Sequence, residues 1–299
     1  MRIATCEICL PLAQEIELDY KADGEKEKPK ELGRLVTLAT VSEDGETAEA
    51  WSSSAVARCP VCATHYLLQR SVDEGHSFMD PTWDDEYVRR LTPLTAISWL
   101  SQLAAATTEA ARAAIEEARA PTAREAETML REQRAPNWHL QRHAIEVLLD
   151  ECLAGGEVER LEAALLRHPD PGVRAEAALD ALLLARDEHY GGPRLFTAEI
   201  GAAASTWLAE LDARRAIANV LVGVLAAPPR PALHFDFGKW WPCDSHARAR
   251  SAFYLLVDSK NPAHRQVARY VVDEVHDLGL KTSKETDDIL RYFAKVATS

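Results

Sequence analysis

Two pairs of cysteines in this chain have the spacing that can hold a metal ion. Cys6 and Cys9 form the first pair, and Cys59 and Cys62 form the second. A Cys-x-x-Cys turn presents two sulfur atoms on one side, and a tetrahedral zinc ion takes four thiolates at about 2.3 Å. The sequence therefore predicts a zinc site whose four ligands all come from the protein. Such a closed site stabilises a fold and leaves no open position for chemistry.

The residues around the second pair resemble those of a zinc ribbon. Pro60 follows the first cysteine of that pair, and the strand-like run at 66–68 follows the second. Two features depart from the ribbon pattern: 49 residues separate the two pairs, and Ala63 stands where ribbons commonly place a turn glycine. The charged stretch at 22–33 makes the long separation tolerable, because the cost of closing a loop grows only logarithmically with its length.

Other interpretations of the same cysteines stay open at this point. Iron in a rubredoxin-like site would use similar ligands. A redox dithiol needs a Cys-x-x-Cys motif at a helix N-terminus, whereas the second pair precedes a strand-like run. A metal or redox sensor would use a site that changes state, and unrelated cysteines are the remaining alternative. We favour structural zinc because closed four-cysteine sites are the commonest use of paired motifs where thiols stay reduced.

Charge and composition restrict the possible partners. The chain has 299 residues, 47% of them hydrophobic, and a formal net charge of −13. Residues 1–90 carry 10 basic and 18 acidic side chains, so most of this charge belongs to the region with the paired cysteines. A negative surface argues against nucleic acid and anionic membranes as partners. Because no signal peptide or long apolar window is visible, we expect a cytoplasmic protein.

The hydrophobic periodicity changes near residue 92. Alternating patterns predict strands at 14–20, 34–41 and 65–72, while the later chain is rich in Ala and Leu at helical spacing. Thr92 and Pro93 give a helix-start signal, and a break with a new start is expected at Pro121. We predict an α+β fold by segments, with a small β-rich zinc-ribbon-like module at 1–91 and an all-α domain at 92–299.

An internal repeat is visible within the helical part. The stretch DPGVRAEAALDALL at 170–183 shares its apolar frame with segments 33 residues earlier and 74 residues later. It resembles the start of a HEAT-like repeat helix, of the short-repeat kind also found in bilin lyases, with fair matches at 244–256 and 261–272. The resemblance implies that the helical part is an α-solenoid, and an irregular Ala-rich bundle is the alternative.

The resemblance also implies structural roles for individual residues. In HEAT-like repeats an Asp-Pro turn caps the helix and an Arg braces the neighbouring repeat. The positions that match this pattern are Asp170, Pro171 and Arg174, then Asp244 and Arg248, and finally Asn261, Pro262 and Arg265. The pattern fails at the earlier helix start, where Trp138 replaces Pro and Gln141 replaces Arg.

An aromatic insertion interrupts the helical part and supplies candidate partner-binding residues. These are Phe235, Phe237, Trp240 and Trp241. Such rings are enriched in interaction hot spots, although they could instead fill a gap in the repeat stack.

We expect a non-enzymatic scaffold that binds a protein or peptide. A HEAT-like DNA glycosylase is the enzymatic alternative, with Trp240, Trp241 and Asp244 in the roles of that family's Trp and Asp residues. The net charge of −5 at 91–299 opposes it.

Overall fold

The computed structural model describes residues 2–19, 28–44, 50–73, 83–103, 108–186, 197–228, 244–281 and 284–296. The chain divides into two compact units, Met1–Glu125 and Ala126–Ser299. The change from strands to helices that the sequence predicts at 91/92 coincides with the end of the last strand at Leu91 and the start of the first helix at Pro93. In the part of the chain that the structure describes, no helix is long and apolar enough to cross a membrane.

The first unit contains an antiparallel sheet. Its strands are β1 (Glu15–Asp19), β2 (Val36–Asp44), β3 (Ala50–Arg58), β4 (His65–Asp73) and β5 (Trp83–Leu91), and their spatial order is β1-β5-β4-β3-β2. Short 3₁₀ helices at Arg2–Thr5 and Lys30–Arg34 precede β1 and β2. The alternating patterns identified β1, β2 and β4, whereas β3 and β5 were not predicted.

The charges of β5 explain why its sequence does not resemble a strand. Three ion pairs join it to other segments of the unit: Arg70 with Asp84, Lys28 with Glu86, and Arg89 with Glu15. The first of these is bidentate, with N–O distances of 2.9 and 2.8 Å. Glu86 and Arg89 are the buried members of these pairs, and their partners offset the free-energy cost of burying charge on a strand inside the sheet.

One face of the sheet forms a hydrophobic core with the first helices of the chain. Val56, Leu67 and Leu91 come from the strands, and Leu100 and Ile115 come from helices. The alternation of β4 places Leu67 on this face and Tyr66 on the opposite face. One face of β4 therefore packs in the apolar core, and the other face lies towards the cysteine pairs.

Ten α-helices lie within the described residues and follow the sheet in the chain. They are α1 (Pro93–Gln102), α2 (Thr108–Arg131), α3 (Trp138–Gly155), α4 (Val158–Leu161), α5 (Pro171–Leu184), α6 (Ala198–Leu208), α7 (Leu211–Ala226), α8 (Ser245–Asp258), α9 (Pro262–Asp277) and α10 (Lys284–Val296). A π-helical turn at Glu162–Leu166 continues α4. A sheet followed by helices confirms the α+β expectation at this coarse level.

The helix break expected at Pro121 is absent, because α2 continues through that residue. A proline inside a helix cannot donate a backbone hydrogen bond to the preceding turn. The carbonyl that loses its N–H donor is that of Glu117, and the hydroxyl of Thr122 donates to the neighbouring carbonyl of Ala118 at 2.7 Å.

Side-chain caps define the starts of several helices, as the sequence predicts. The caps whose oxygen accepts a backbone N–H of the first turn are Thr92, Asn137, Asp170, Thr197, Asp244 and Asn261. Proline occupies the first turn after Thr92, Asp170 and Asn261, where its missing N–H has no intrahelical partner to lose. These local signals explain why helix starts are readable from the sequence.

A buried carboxylate joins three helices of the second unit. Glu176 on α5 is fully buried, and α5 packs against both α3 and α8. Its two oxygens lie 3.2 Å from Nε of Arg142 on α3 and 2.9 Å from Nε of Arg248 on α8. The Arg248 guanidinium also lies 5.0 Å from the ring centroid of Trp138 on α3. Charge pairing therefore accompanies apolar packing between these helices.

Replacing Glu176 with Gln tests this contribution. The change keeps the shape of the side chain and removes the carboxylate that Arg142 and Arg248 share, while Arg142 keeps its ion pair with Glu146. We expect the free energy of unfolding to fall by about 3 kcal/mol, the usual cost of breaking a buried ion pair. Glu159→Gln, on an exposed position of α4, is the control and should change it by less than about 0.5 kcal/mol. Equal effects of the two variants in chemical denaturation would contradict this role.

Candidate metal centre

The second cysteine pair lies in the hairpin between β3 and β4. Cys59 directly follows β3, and Cys62 lies three residues before β4 begins. The backbone N–H of Cys59 donates to the carbonyl of Thr64 at 2.8 Å, and that of Ala63 donates to the carbonyl of Cys59 at 3.0 Å. These bonds close a tight turn that places both sulfurs on one side.

Ala63 has a left-handed backbone conformation in this turn, with φ of 63°. A Cβ in that conformation approaches the following carbonyl and costs roughly 1–2 kcal/mol. The position is the one where ribbons commonly carry glycine. The turn therefore adopts a conformation that glycine favours, although this chain has alanine there.

The first cysteine pair lies in a turn between the first 3₁₀ helix and β1. The backbone N–H of Cys6 donates to the carbonyl of Ile3 at 3.1 Å, and that of Leu10 donates to the carbonyl of Cys6 at 2.9 Å. Ile3, Ile8 and Leu12 are almost fully buried around it. Apolar anchors on both sides of Cys6 and Cys9 therefore fix this turn against the rest of the unit.

The two turns bring all four sulfurs together. The four Sγ atoms lie within 4.8 Å of one another. Across the two pairs, Cys6 Sγ is 3.6 Å from Cys59 Sγ, and Cys9 Sγ is 3.4 Å from Cys62 Sγ. Four sulfurs at zinc bond length in a tetrahedron would be about 3.8 Å apart, and a disulfide would need about 2.05 Å. The spacing fits a tetrahedral thiolate shell, in which either zinc or iron is stable.

Hydrogen bonds and burial control the protonation of these thiols. The hydrogen bond between Cys9 and Cys62 lowers the pKa of Cys62 to about 5 and raises the pKa of Cys9 well above its ordinary value. Burial raises the pKa of Cys59, and the backbone N–H groups of Cys62 and Val61 oppose this effect. A metal ion binds thiolates, so its binding must displace the protons that remain on the shell.

Among the residues that the structure describes, no other group of three or more His, Cys, Asp or Glu side chains could hold a metal. Cys152 is buried in α3, where desolvation raises its pKa to about 11. A buried protonated thiol packs as a small apolar side chain. The paired cysteines are therefore chemically distinct from Cys152.

The repeat-structural residues predicted from the sequence occupy different environments. The guanidinium of Arg174 donates to the carbonyls of His168 and Pro169 at 2.6 and 3.1 Å, and Arg214 makes the same contacts with Leu208 and Ala209. Arg248 instead forms an ion pair with the buried carboxylate of Glu176, and Arg265 is exposed. Arg214 was not singled out in the sequence, although it lies four residues after the cap of α7 as Arg174 does after Asp170.

The candidate partner-binding aromatics lie outside the described residues. They are Phe235, Phe237, Trp240 and Trp241. Asp244, proposed for the glycosylase alternative, caps α8 by accepting the Ala247 N–H at 2.6 Å.

No protein-family model, curated protein or solved structure is significantly similar to this chain.

Three side chains beside the cysteines were not identified from the sequence. Thr64 lies with its hydroxyl 3.1 Å from the sulfur of Cys62. Tyr66 and Arg90 are fully buried behind Cys9. Periodicity placed Tyr66 on a strand, but no sequence signal connected Arg90 with the cysteines.

Ala63→Gly tests the strained turn. Glycine adopts a positive φ without steric cost, and Ala63 is exposed, so no packing is lost. We expect the free energy of unfolding to rise by about 1 kcal/mol. Ala55→Gly, on the extended backbone of β3, is the matched control and should lower it by about 0.5–1 kcal/mol. A destabilised Ala63→Gly variant in thermal denaturation would contradict the assignment of strain to this turn.

Elemental analysis of the purified chain tests the metal centre. We expect one equivalent of tetrahedrally bound metal, with zinc as the ion. Cys6→Ser and Cys59→Ser should each lose the metal together with at least about 2 kcal/mol of stability, because metal binding contributes to folding free energy. Cys152→Ser is the control and should keep the full equivalent. A metal-free wild type, or equal metal content in all variants, would contradict the site.

Proposed function

We propose that this protein is a non-enzymatic interaction scaffold, in which a structural zinc module precedes HEAT-like helical repeats that bind a partner protein or peptide. The observation that carries the proposal is the closed shell of four cysteines. Four protein thiolates fill a tetrahedral ion and leave no position for substrate or activated water. A site of this kind supports a structural role and gives no support to hydrolytic metal chemistry.

The zinc would connect the start of the chain to the sheet. Cys6 and Cys9 come from the segment before β1, whereas Cys59 and Cys62 come from the β3–β4 hairpin. Two cross-pair contacts span 53 residues each. A single ion bound by all four cysteines would close both long loops at once, which is the typical contribution of structural zinc in small modules.

The packing of the second unit supports the repeat interpretation. The helices that the 33- and 74-residue shifts align are α3, α5 and α8, and α5 packs against both of the others. The matching contacts of Arg174 and Arg214 with the preceding turn are a second recurring feature. Repetition of both packing and loop bracing is typical of solenoids, in which each repeat contacts its neighbours.

Exposed aromatic side chains support a protein partner. Tyr254 on α8 is 58% exposed and Tyr292 on α10 is 55% exposed, and these two helices contact each other. The aromatic insertion at 235–241 lies just before α8 in the chain. Aromatic side chains dominate protein interfaces, and the net negative charge of the chain opposes binding to phosphates.

Affinity capture with the full chain tests this function. We expect a specific protein to be recovered by the wild type and lost with the Trp240→Ala/Trp241→Ala variant, because truncating hot-spot aromatics weakens binding by about 2 kcal/mol or more each. Val36→Ala, an exposed apolar position on β2, is the control and should retain the partner. Recovery of no specific protein by the wild type, or equal recovery by the double variant, would contradict the proposal. Salt-dependent binding of DNA would favour the glycosylase alternative.

A further inference from the structure

Tyr66 and Arg90 are neighbours directly behind the cysteine site. They face each other in the register of β4 and β5, and both side chains are fully buried. Nε of Arg90 donates to the Tyr66 hydroxyl at 3.3 Å, and the guanidinium lies 5.7 Å from the centroid of the Tyr66 ring. The two side chains therefore form one polar pair inside the unit.

Arg90 holds the backbone of the first cysteine turn. Its Nη2 donates to the carbonyl of Cys9 at 2.9 Å and to that of Leu12 at 2.8 Å. Its Nη1 donates to the side-chain oxygen of Gln14 at 3.3 Å. Gln14 in turn donates to the carbonyl of Arg90 at 3.2 Å and joins the two segments in the other direction. One guanidinium thus fixes the chain on both sides of the turn that carries Cys9.

Tyr66 connects this cation to a ligand sulfur. The Tyr66 hydroxyl accepts the hydrogen bond from Arg90, and as a hydrogen-bond donor it lowers the pKa of the Cys9 thiol, in opposition to burial. A hydroxyl that accepts from a cation becomes a better donor, because hydrogen bonds in a chain polarise one another. Arg90 therefore contacts both the Tyr66 hydroxyl and the backbone of Cys9, and Tyr66 links the cation to the Cys9 thiol.

A filled site needs such a donor. Four thiolates and one divalent ion carry a net charge of −2, and three of the four cysteines are buried. Negative charge in a low-dielectric interior is stabilised by nearby cations and by hydrogen bonds to the sulfurs. Arg90 supplies the positive charge. Tyr66 lies between this cation and Cys9 and would stabilise the negative charge on that sulfur by hydrogen bonding.

We propose that Arg90, acting through Tyr66, is a positioning residue that stabilises the negative charge of a metal–tetrathiolate centre at Cys6, Cys9, Cys59 and Cys62. This proposal rests on the metal site of the proposed function. It assigns the pair a role in the affinity and electronic state of the metal, in addition to bracing the fold. A purely structural brace would change stability and leave the sulfur–metal bonds as they are.

Tyr66→Phe is the sharpest variant, because it removes one hydroxyl and keeps the ring. We expect it to retain one equivalent of metal but to bind zinc about tenfold more weakly in competition with a chelator, the usual effect of losing an outer-shell partner. The sulfur-to-metal charge-transfer band of the cobalt(II)-substituted protein should shift. On acidification, the variant should lose half of its metal at a higher pH than the wild type, because protons displace the metal more easily from less stabilised thiolates. These two readouts would not move if the hydroxyl only braced the fold.

Arg90 variants separate charge from shape. Arg90→Gln should weaken zinc binding and move the cobalt band in the same direction as Tyr66→Phe, while Arg90→Lys should recover part of the affinity. Arg89→Gln is the matched control: Arg89 is also a buried arginine of β5, but it pairs with Glu15. It should lower stability without changing the cobalt spectrum or the pH of metal release.

The outcomes distinguish this inference from the proposed function. A wild-type chain that binds no zinc or cobalt would overturn the metal site itself. A wild type that binds one equivalent, with Tyr66→Phe unchanged in affinity, spectrum and release pH, would overturn only the role of the pair. If Arg90→Gln fails to fold, the Tyr66→Phe result decides.

Discussion

The convergence of four sulfurs is the interaction on which the first unit depends. Within the described residues, the segment before β1 has one short 3₁₀ helix and no strand, so its position relies on its cysteine turn, on apolar anchors and on the hydrogen bonds from Arg90. The ligands from the β3–β4 hairpin come 53 residues later in the chain. Closing loops of this length has an entropic cost that grows only slowly with loop length, and the free energy of metal binding would offset it.

Buried charge is a second principle of this molecule, and each unit uses it where elements meet. In the first unit, Arg90 lies between the cysteine turn and the sheet, and its neighbour Arg89 pairs with Glu15. In the second unit, Glu176 lies between Arg142 and Arg248. Such contacts are costly to bury, and removing one partner leaves a buried charge uncompensated, so arrangements that separate the partners are penalised. Apolar burial provides the bulk of stability, while these groups add a penalty for separating the elements that carry them.

Local signals in the sequence predicted much of the fold. Caps such as Asp170 and Asn261 act within two or three residues, and the alternation of β4 is visible within nine residues. The paired cysteines were equally readable, because each Cys-x-x-Cys turn is a local motif. The strands β3 and β5 do not show the alternating pattern, because β3 is rich in serine and β5 is charged. β3 pairs with the strands next to it in the chain, whereas β5 also pairs with the distant β1.

The role of Arg90 could not be predicted for a related reason. Arg89 and Arg90 are adjacent and identical in type, and strand alternation alone places them on opposite faces. Only the register of β5 against β4 shows that Arg90, and not Arg89, lies beside Tyr66 and Cys9. The same dependence on register explains why the sequence marked Tyr66 only as a strand residue.

The central proposal is that an ion bound by the four cysteines holds the first unit together. Hydrogen–deuterium exchange of the zinc-loaded full chain, before and after treatment with a chelator, tests it most directly. We predict that exchange accelerates in the two cysteine turns, at amides such as those of Leu10, Cys59 and Ala63, which are hydrogen-bonded there. The amides within α3, α5 and α8 should keep their protection. Unchanged protection of the cysteine turns after complete metal removal would contradict the claim that a bound ion holds this unit together.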